Sequence, residues 1–338
     1  MARVKEFAVG FETVDARRQM ACAELAEKLG YGTYWVPEDY FFRGAFTVAS
    51  AIACATRRMR VGLGVVNPYT RHPALIAMEI SALAEVAEGR TVLGIGGGVR
   101  HWIETQMRIP YTKPGTAMRE AIEIVRRMLR DESVTHQGKV FRTQQAKLSF
   151  PSPKPALPVH LGVLGPKNLE MAGEIADGVL LSGMTSAAYA RFAVEHVRRG
   201  AERAGRTLGD LEIGAFLPIS ISEDERSARE AVKPFLATLL GILAAEPQNP
   251  LVATPGTPPE ELARIGAAFA KGRAAAELVS DWMVDTFAIA GSPARCREGL
   301  AEIVAAGVSH PIAFEVPGVA PEQTIRAVHE HLMPHFLG

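Results

Sequence analysis

Short apolar runs and amphipathic helical patterns alternate along this chain from end to end. The runs begin near Phe7, Thr33, Arg60, Thr91, Val159, Gly178, Leu211 and Pro311. Between them apolar residues recur at helical spacing: Cys22, Leu25, Ala26 and Leu29; then Ile76, Ile80, Leu83 and Ala87; then Met118, Ile122, Val125 and Leu129. Eight strands alternating with helices predict an α/β fold of the (β/α)8 TIM-barrel kind. An open doubly wound sheet is the competing architecture. It would place a glycine-rich dinucleotide fingerprint after the first strand, where the chain instead reads Val9-Gly10-Phe11-Glu12-Thr13.

Two stretches interrupt the alternation, after strands four and seven. Residues 133–158 hold Val134 to Phe141, read as a hairpin turning at Gln137-Gly138, and then a proline-rich lead-in to strand five. Residues 245–286 carry Pro247, Pro250, Pro255, Pro258 and Pro259 and then two helical patterns. Trp282, Met283 and Phe287 are too apolar for a wholly solvated loop, so part of this stretch must pack. Active sites of such barrels lie at the C-terminal ends of the strands, and an insertion there is able to cover the mouth. The expected organisation is one barrel over residues 1–338 with these two insertions.

Composition narrows the partners. The chain has 338 residues, 48% of them apolar, enough for a large core. Lys plus Arg equals Asp plus Glu, 37 each, so no net field favours nucleic acid or an anionic membrane. Cys22, Cys54 and Cys296 are odd in number and far apart, as expected of reduced thiols in a cytoplasmic protein. The first residues lack a signal-peptide core, and no apolar run reaches the roughly 20 residues of a membrane helix. His329, His331 and His335 lie on the last helix without an acid or cysteine to complete a metal set.

The most informative phrase runs from Gly162 to Gly183. Val163 and Leu164 end an apolar run, Gly165-Pro166 makes a turn with proline at the first helical position, and Leu169, Ala172, Ile175 and Ala176 follow at helical spacing. Free backbone N–H groups at such a helix start suit a phosphate, with Lys167 adding charge and Ser182 a hydroxyl beside Gly183. The phrase equally describes an ordinary strand–helix–strand unit.

This phrase resembles the corresponding segment of the bacterial luciferase-like oxidoreductases. So do, in the same order, Gly62-Leu-Gly-Val-Val-Asn-Pro-Tyr-Thr-Arg-His-Pro73, Gly89-Arg-Thr-Val-Leu-Gly-Ile-Gly-Gly-Gly98 and Ala288-Ile-Ala-Gly-Ser-Pro-Ala-Arg-Cys-Arg-Glu-Gly-Leu300. The nearest branch uses a deazaflavin, coenzyme F-420, and is typified by methylenetetrahydromethanopterin reductase. The resemblance spans nearly the whole chain and implies a barrel, a small-molecule substrate and a homodimer formed through helices early in the chain. It also implies a bulge after strand three, with a non-proline cis peptide at Gly64–Val65, that supports the middle ring of the cofactor. Asn67 follows that bulge, and Gly96 and Gly97 end strand four where a flat ring or tail needs access to backbone.

Acid–base groups are sought at the strand ends. Glu38 and Asp39 follow strand two, and alternation in an extended segment lets only one of them face the mouth. Glu12 ends strand one and is a second candidate acid. Many relatives have Asp-His at 39–40, where this chain has Asp39-Tyr40, and a hydroxyl or acid near strand four, where it has Gly97 and Val99. Arg71 and Tyr69 are placed to reach an anionic group, and His72 to cap a helix. The reading is an F-420-dependent oxidoreductase moving hydride between deazaflavin C5 and a carbon centre. An FMN-dependent monooxygenase of the same superfamily and a non-catalytic flavin-binding protein are the alternatives.

Overall fold

The computed structural model describes residues 3–337. Its strands are β1 (Ala8–Gly10), β2 (Thr33–Val36), β3 (Arg60–Val66), β4 (Thr91–Gly96), β5 (Val134–Gln137), β6 (Arg142–Ala146), β7 (Val159–Gly162), β8 (Gly178–Leu181), β9 (Glu212–Ile221), β10 (Ile289–Gly291) and β11 (His310–Phe314). Strand β1 pairs with β2 and β11, and β9 pairs with β8 and β11, so β1, β2, β3, β4, β7, β8, β9 and β11 close into a parallel barrel. All eight expected strands are these eight. The dinucleotide-type open sheet is therefore excluded.

Side chains on one face of each strand fill the barrel: Ala8, Trp35, Val92, Leu180, Phe216 and Ile312, with Val65 and Phe314 packed above them. The opposite faces bury against the helices. At the N-terminal end Arg60 joins Glu6 (2.7 Å) and Glu212 (3.1 Å). His160 lies beside them, and burial pushes its imidazole down to about 4. This polar plug leaves the C-terminal end as the open mouth. A cavity of about 650 Å³ opens at the plugged end, lined by Lys5, His160 and Glu212 among others.

The first insertion is the expected hairpin, β5 against β6, although Gln137 still pairs with Arg142 and the turn lies beyond it. Glu120, on the Pro114–Met128 helix, accepts hydrogen bonds from the backbone N–H groups of Lys139, Val140 and Phe141 and so fixes that turn. The second insertion forms helices at Pro250–Ala253, Pro259–Phe269 and Asp281–Phe287, with a 3-10 turn at Ala276–Leu278 between the last two. Leu262, Ile265, Met283 and Phe287 pack with Leu236 and Leu240 of the Glu225–Leu243 helix and with Met184 and Val316. Those last two residues follow β8 and β11, which sets this second core beside the mouth. Trp282 remains 41% exposed, its ring edge-on to Phe287. The short β10 was not foreseen, because Ile289 to Gly291 is too short a run to stand out; it pairs only with the far end of β9.

Candidate active site

Three carboxyl groups meet at the mouth, on three strands that are neighbours in the ring. Glu315 follows β11 directly, Glu12 follows β1, and Asp39 follows β2. Glu315 Oε2 accepts hydrogen bonds from the Glu12 N–H (3.3 Å), the Thr13 N–H (3.1 Å) and the Thr13 hydroxyl (2.7 Å). Glu12 and Asp39 are close enough for each to shift the other, and two such carboxyl groups can hydrogen-bond only if one of them carries a proton. Glu12 Oε2 is sealed from solvent, and no N–H or hydroxyl reaches it. Burial, then the charges of Asp39 and Glu315, push Glu12 up to about 9. Burial also raises Asp39 and Glu315.

Glu38 lies outside this cluster. It accepts hydrogen bonds from Arg71 Nη1 at 3.0 and 2.8 Å, and Arg71 also reaches Glu79 at 2.7 Å and stacks over Phe46. Glu38 is held in that ion pair, so of the two adjacent acids it is Asp39 that lies beside Glu12. Arg71 is likewise committed and not free for a ligand. His72 accepts from the Ala74 N–H and caps the Pro73–Val86 helix, as its place before Pro73 suggested. Tyr69 donates to the Thr112 carbonyl and stacks on Tyr111.

Asn67 is buried and fully engaged. Its Oδ1 accepts from the Tyr69 N–H, the Thr70 N–H and the Thr70 hydroxyl, and its Nδ2 donates to the Tyr40 hydroxyl. The residue expected to touch a cofactor thus shapes the loop that carries Tyr40. Tyr40 also bonds Thr70 at 2.6 Å and stands edge-on to Trp102.

The β3 bulge is present. The β3–β4 register shifts between Leu63 and Val66, and the Gly64–Val65 peptide is cis. A Cβ on Gly64 would lie 2.9 Å from the Trp35 ring. The Val65 side chain occupies the space that Cβ atoms on Gly94, Gly96 and Gly162 would need, at 3.1, 2.5 and 2.8 Å. Gly96 therefore makes room for Val65, and a Cβ on Gly97 would lie 2.8 Å from the Tyr111 hydroxyl. For Gly96 on β4 and Gly162 on β7 the nearest obstacle is this one side chain on β3, whereas Gly94 is held first by the Leu63 carbonyl at 2.3 Å.

At the ends of β7 and β8 stands the expected helix start. Gly165 precedes the Pro166–Ile175 helix, no side chain caps it, and a Cβ on Gly165 would meet nothing within 4 Å. Lys167 is exposed and forms no ion pair among the described residues. A second helix begins alongside: a Cβ on Gly115 would stand 2.7 Å from Asn168 Oδ1. Val163 is buried, and the Leu164 carbonyl accepts from the Tyr189 hydroxyl. Ser182 and Gly183 follow the neighbouring strand; the Ser182 carbonyl is taken by Thr185, and Gly183 lies near Phe235 and Phe314.

Sequence reading missed Glu315. Its signal was a glutamate directly after the apolar run Pro311 to Phe314. Thr70 and Tyr111 also emerge only from the fold, since polar and aromatic loop residues carry no periodicity. Among the described residues no three His, Cys, Asp or Glu side chains are placed to hold a metal ion.

A closed parallel barrel with a bulged third strand, buried acids at the strand ends and an open helix start defines a barrel scaffold with its candidate active site at the mouth. The luciferase-like monooxygenase family model matches residues 5–310, and the chain belongs to that family. It is similar to the 5,10-methylenetetrahydromethanopterin reductase of Methanolobus tindarius, 32% identical over 92% of this chain and 94% of that one. The solved coenzyme F-420-dependent tetrahydromethanopterin reductase of Methanopyrus kandleri superposes with a TM-score of 0.89 at 28% identity, covering 99% of this chain and all of that one. An F-420-dependent glucose-6-phosphate dehydrogenase of Nakamurella multipartita is 25% identical over 85% of this chain and 80% of that one.

Proposed function

We propose that this protein is an F-420-dependent oxidoreductase that acts on a carbon centre of a small organic substrate, with Glu12 as its acid–base group. The observation that carries the reading is the meeting of Glu12, Asp39 and Glu315 at one end of the barrel, where burial and the neighbouring carboxyl groups raise Glu12. A group of this kind stays protonated at neutral pH and lies at the same end of the barrel as the β3 bulge. The residues fit the cofactor: Val65 with Gly64 would back the ring, and Gly165, Pro166 and Lys167 would receive the anionic tail near Ser182 and Gly183. When bound, the deazaflavin supplies two-electron hydride chemistry at C5. The chain's own work is to hold a proton on Glu12, fix the loop bearing Tyr40 through Asn67 and Thr70, and shield the mouth with the second insertion. Gly96 and Gly97 serve the same seat indirectly, by admitting Val65 and Tyr111.

We place the enzyme in the cytoplasm as a homodimer, with the unpaired cysteines and the apolar outer face of the Pro73–Val86 helix as support. Titration with F-420 and with FMN, followed by fluorescence and absorbance, tests the reading. Saturable F-420 binding with none for FMN is expected. The reverse preference would favour the monooxygenase. F-420 binding without turnover of any carbonyl, alcohol or imine-type substrate would favour the non-catalytic reading.

A further inference from the structure

We propose that Glu315 is a positioning residue that keeps the transferable proton on Glu12. This rests on the reading of Glu12 as the acid–base group and adds the device that sets when it lets go of its proton.

Topology brings the three acids together. Strands β11, β1 and β2 are consecutive in the ring, with Phe314 opposite Gly10 and Val9 opposite Tyr34. Neighbouring strands stand roughly 4.8 Å apart, so carboxyl groups leaving the same edge of three strands span only about 10 Å. Glu315 is fastened by the chain that carries Glu12: two backbone N–H groups and the Thr13 hydroxyl all donate to its Oε2. Three donors on one oxygen favour its anionic form and prevent it from swinging away as charge develops nearby.

No cation joins those donors in the ion pairs of the described residues. Among the described residues no Lys, Arg or His forms an ion pair with Glu12, Asp39 or Glu315. Arg43 reaches only the Glu12 backbone carbonyl, at 3.3 Å, and is itself exposed. Tyr34, buried beneath Glu315, stays neutral because burial raises its hydroxyl. Arg18, farther along the first helix, is already bound to Glu322. Like charges in one desolvated site cannot all form, so charge on Glu315 is charge denied to Glu12. Glu315 is anchored to the backbone of the Glu12 loop, and its three donors hold it there.

The test compares Glu315→Gln and Glu315→Asp with the parent. Glutamine keeps the shape and an acceptor oxygen for the three donors but removes the charge; aspartate keeps the charge. Infrared titration of the unliganded protein follows the protonated-carboxyl band assigned to Glu12 by its loss in Glu12→Gln. In Glu315→Gln that band should titrate at lower pH, and the alkaline limb of kcat/KM should move the same way. Glu315→Asp should stay near the parent. By reciprocity Glu12→Gln must also lower the titration of Glu315, so the idea remains testable if Glu315→Gln fails to fold. An unchanged Glu12 titration in Glu315→Gln, an equal shift in Glu315→Asp, or no reciprocal shift in Glu12→Gln overturns the proposal. Parent-like turnover and pH profile in Glu12→Gln would instead refute Glu12 as the acid, while the infrared titration still judges Glu315 by itself.

Discussion

Val65 Cγ2 stands 2.5 Å from the point where a Cβ on Gly96 would lie, so the β3 bulge and the glycine of β4 are a matched pair. Neither residue is free to change alone. Gly96→Ala should force Val65 upward into the seat proposed for the cofactor ring, at an overpacking cost on the order of 1–3 kcal/mol. If most of that falls on binding, F-420 affinity drops about tenfold or more. Val65→Ala combined with Gly96→Ala should recover much of the loss. A double-mutant cycle on dissociation constants measures this, and simple additivity would show the pair to be uncoupled.

The start of the Pro166–Ile175 helix offers a charge without a partner in Lys167. Lys167→Ala should weaken F-420 binding about two- to fivefold, the scale of a solvent-exposed ion pair, and flatten its dependence on salt. Affinity measured across ionic strengths checks both effects. Unchanged affinity and salt slope would place the anionic tail elsewhere.

The barrel was legible because eight buried strands each left an uninterrupted apolar run, and because helical spacing between them is a strong local signal. The helix start at Gly165-Pro166 was legible in its turn residues and the spacing after it, whereas the bulge came from resemblance, since no periodicity marks it. What stayed hidden depends on who sits opposite whom across the ring. Glu12, Asp39 and Glu315 are up to about three hundred positions apart, and only closure of β1 against β11 makes them neighbours. Likewise Glu38 and Asp39 look alike in sequence. Their separation into a salt bridge and a carboxyl cluster depends on Arg71, which the fold delivers from the β3 loop.

That separation can be measured. Glu38→Gln breaks a largely buried pair and leaves Arg71 with Glu79 alone, so it should lower stability by on the order of 1–3 kcal/mol. It should leave the pH dependence of turnover in place. Asp39→Asn should do the opposite, altering the pH profile through the lost partner of Glu12. Thermal melts and kcat/KM profiles of the two variants, read together, would refute the assignment if their effects were interchanged.

The outward side of the Pro73–Val86 helix leaves Leu75, Met78 and Val86 each more than two-fifths exposed. These positions follow one stripe, while Ile76, Ile80 and Leu83 bury against the barrel. A helix apolar on both sides calls for a second surface. Sedimentation at micromolar concentration should give a dimer, and Leu75→Glu with Met78→Glu should give a folded monomer. A monomeric parent would remove that helix face as an interface.

Stability should fall as pH rises, because of Glu12. In the unfolded chain its carboxyl titrates near the ordinary 4.5, and in the folded protein near 9. Below the lower value both states hold the proton, and the full contribution is present. Between the two values folding takes up a proton, so each pH unit removes up to about 1.4 kcal/mol from this group. Asp39 and Glu315, also raised, act in the same sense. Glu12→Gln cannot ionise and escapes that loss. Its melting temperature should match or fall slightly below the parent's near pH 4.5, and exceed it by a growing margin toward pH 8.5. Melting curves that run parallel across this range would mean that Glu12 ionises freely in the folded protein and shares no proton with Asp39.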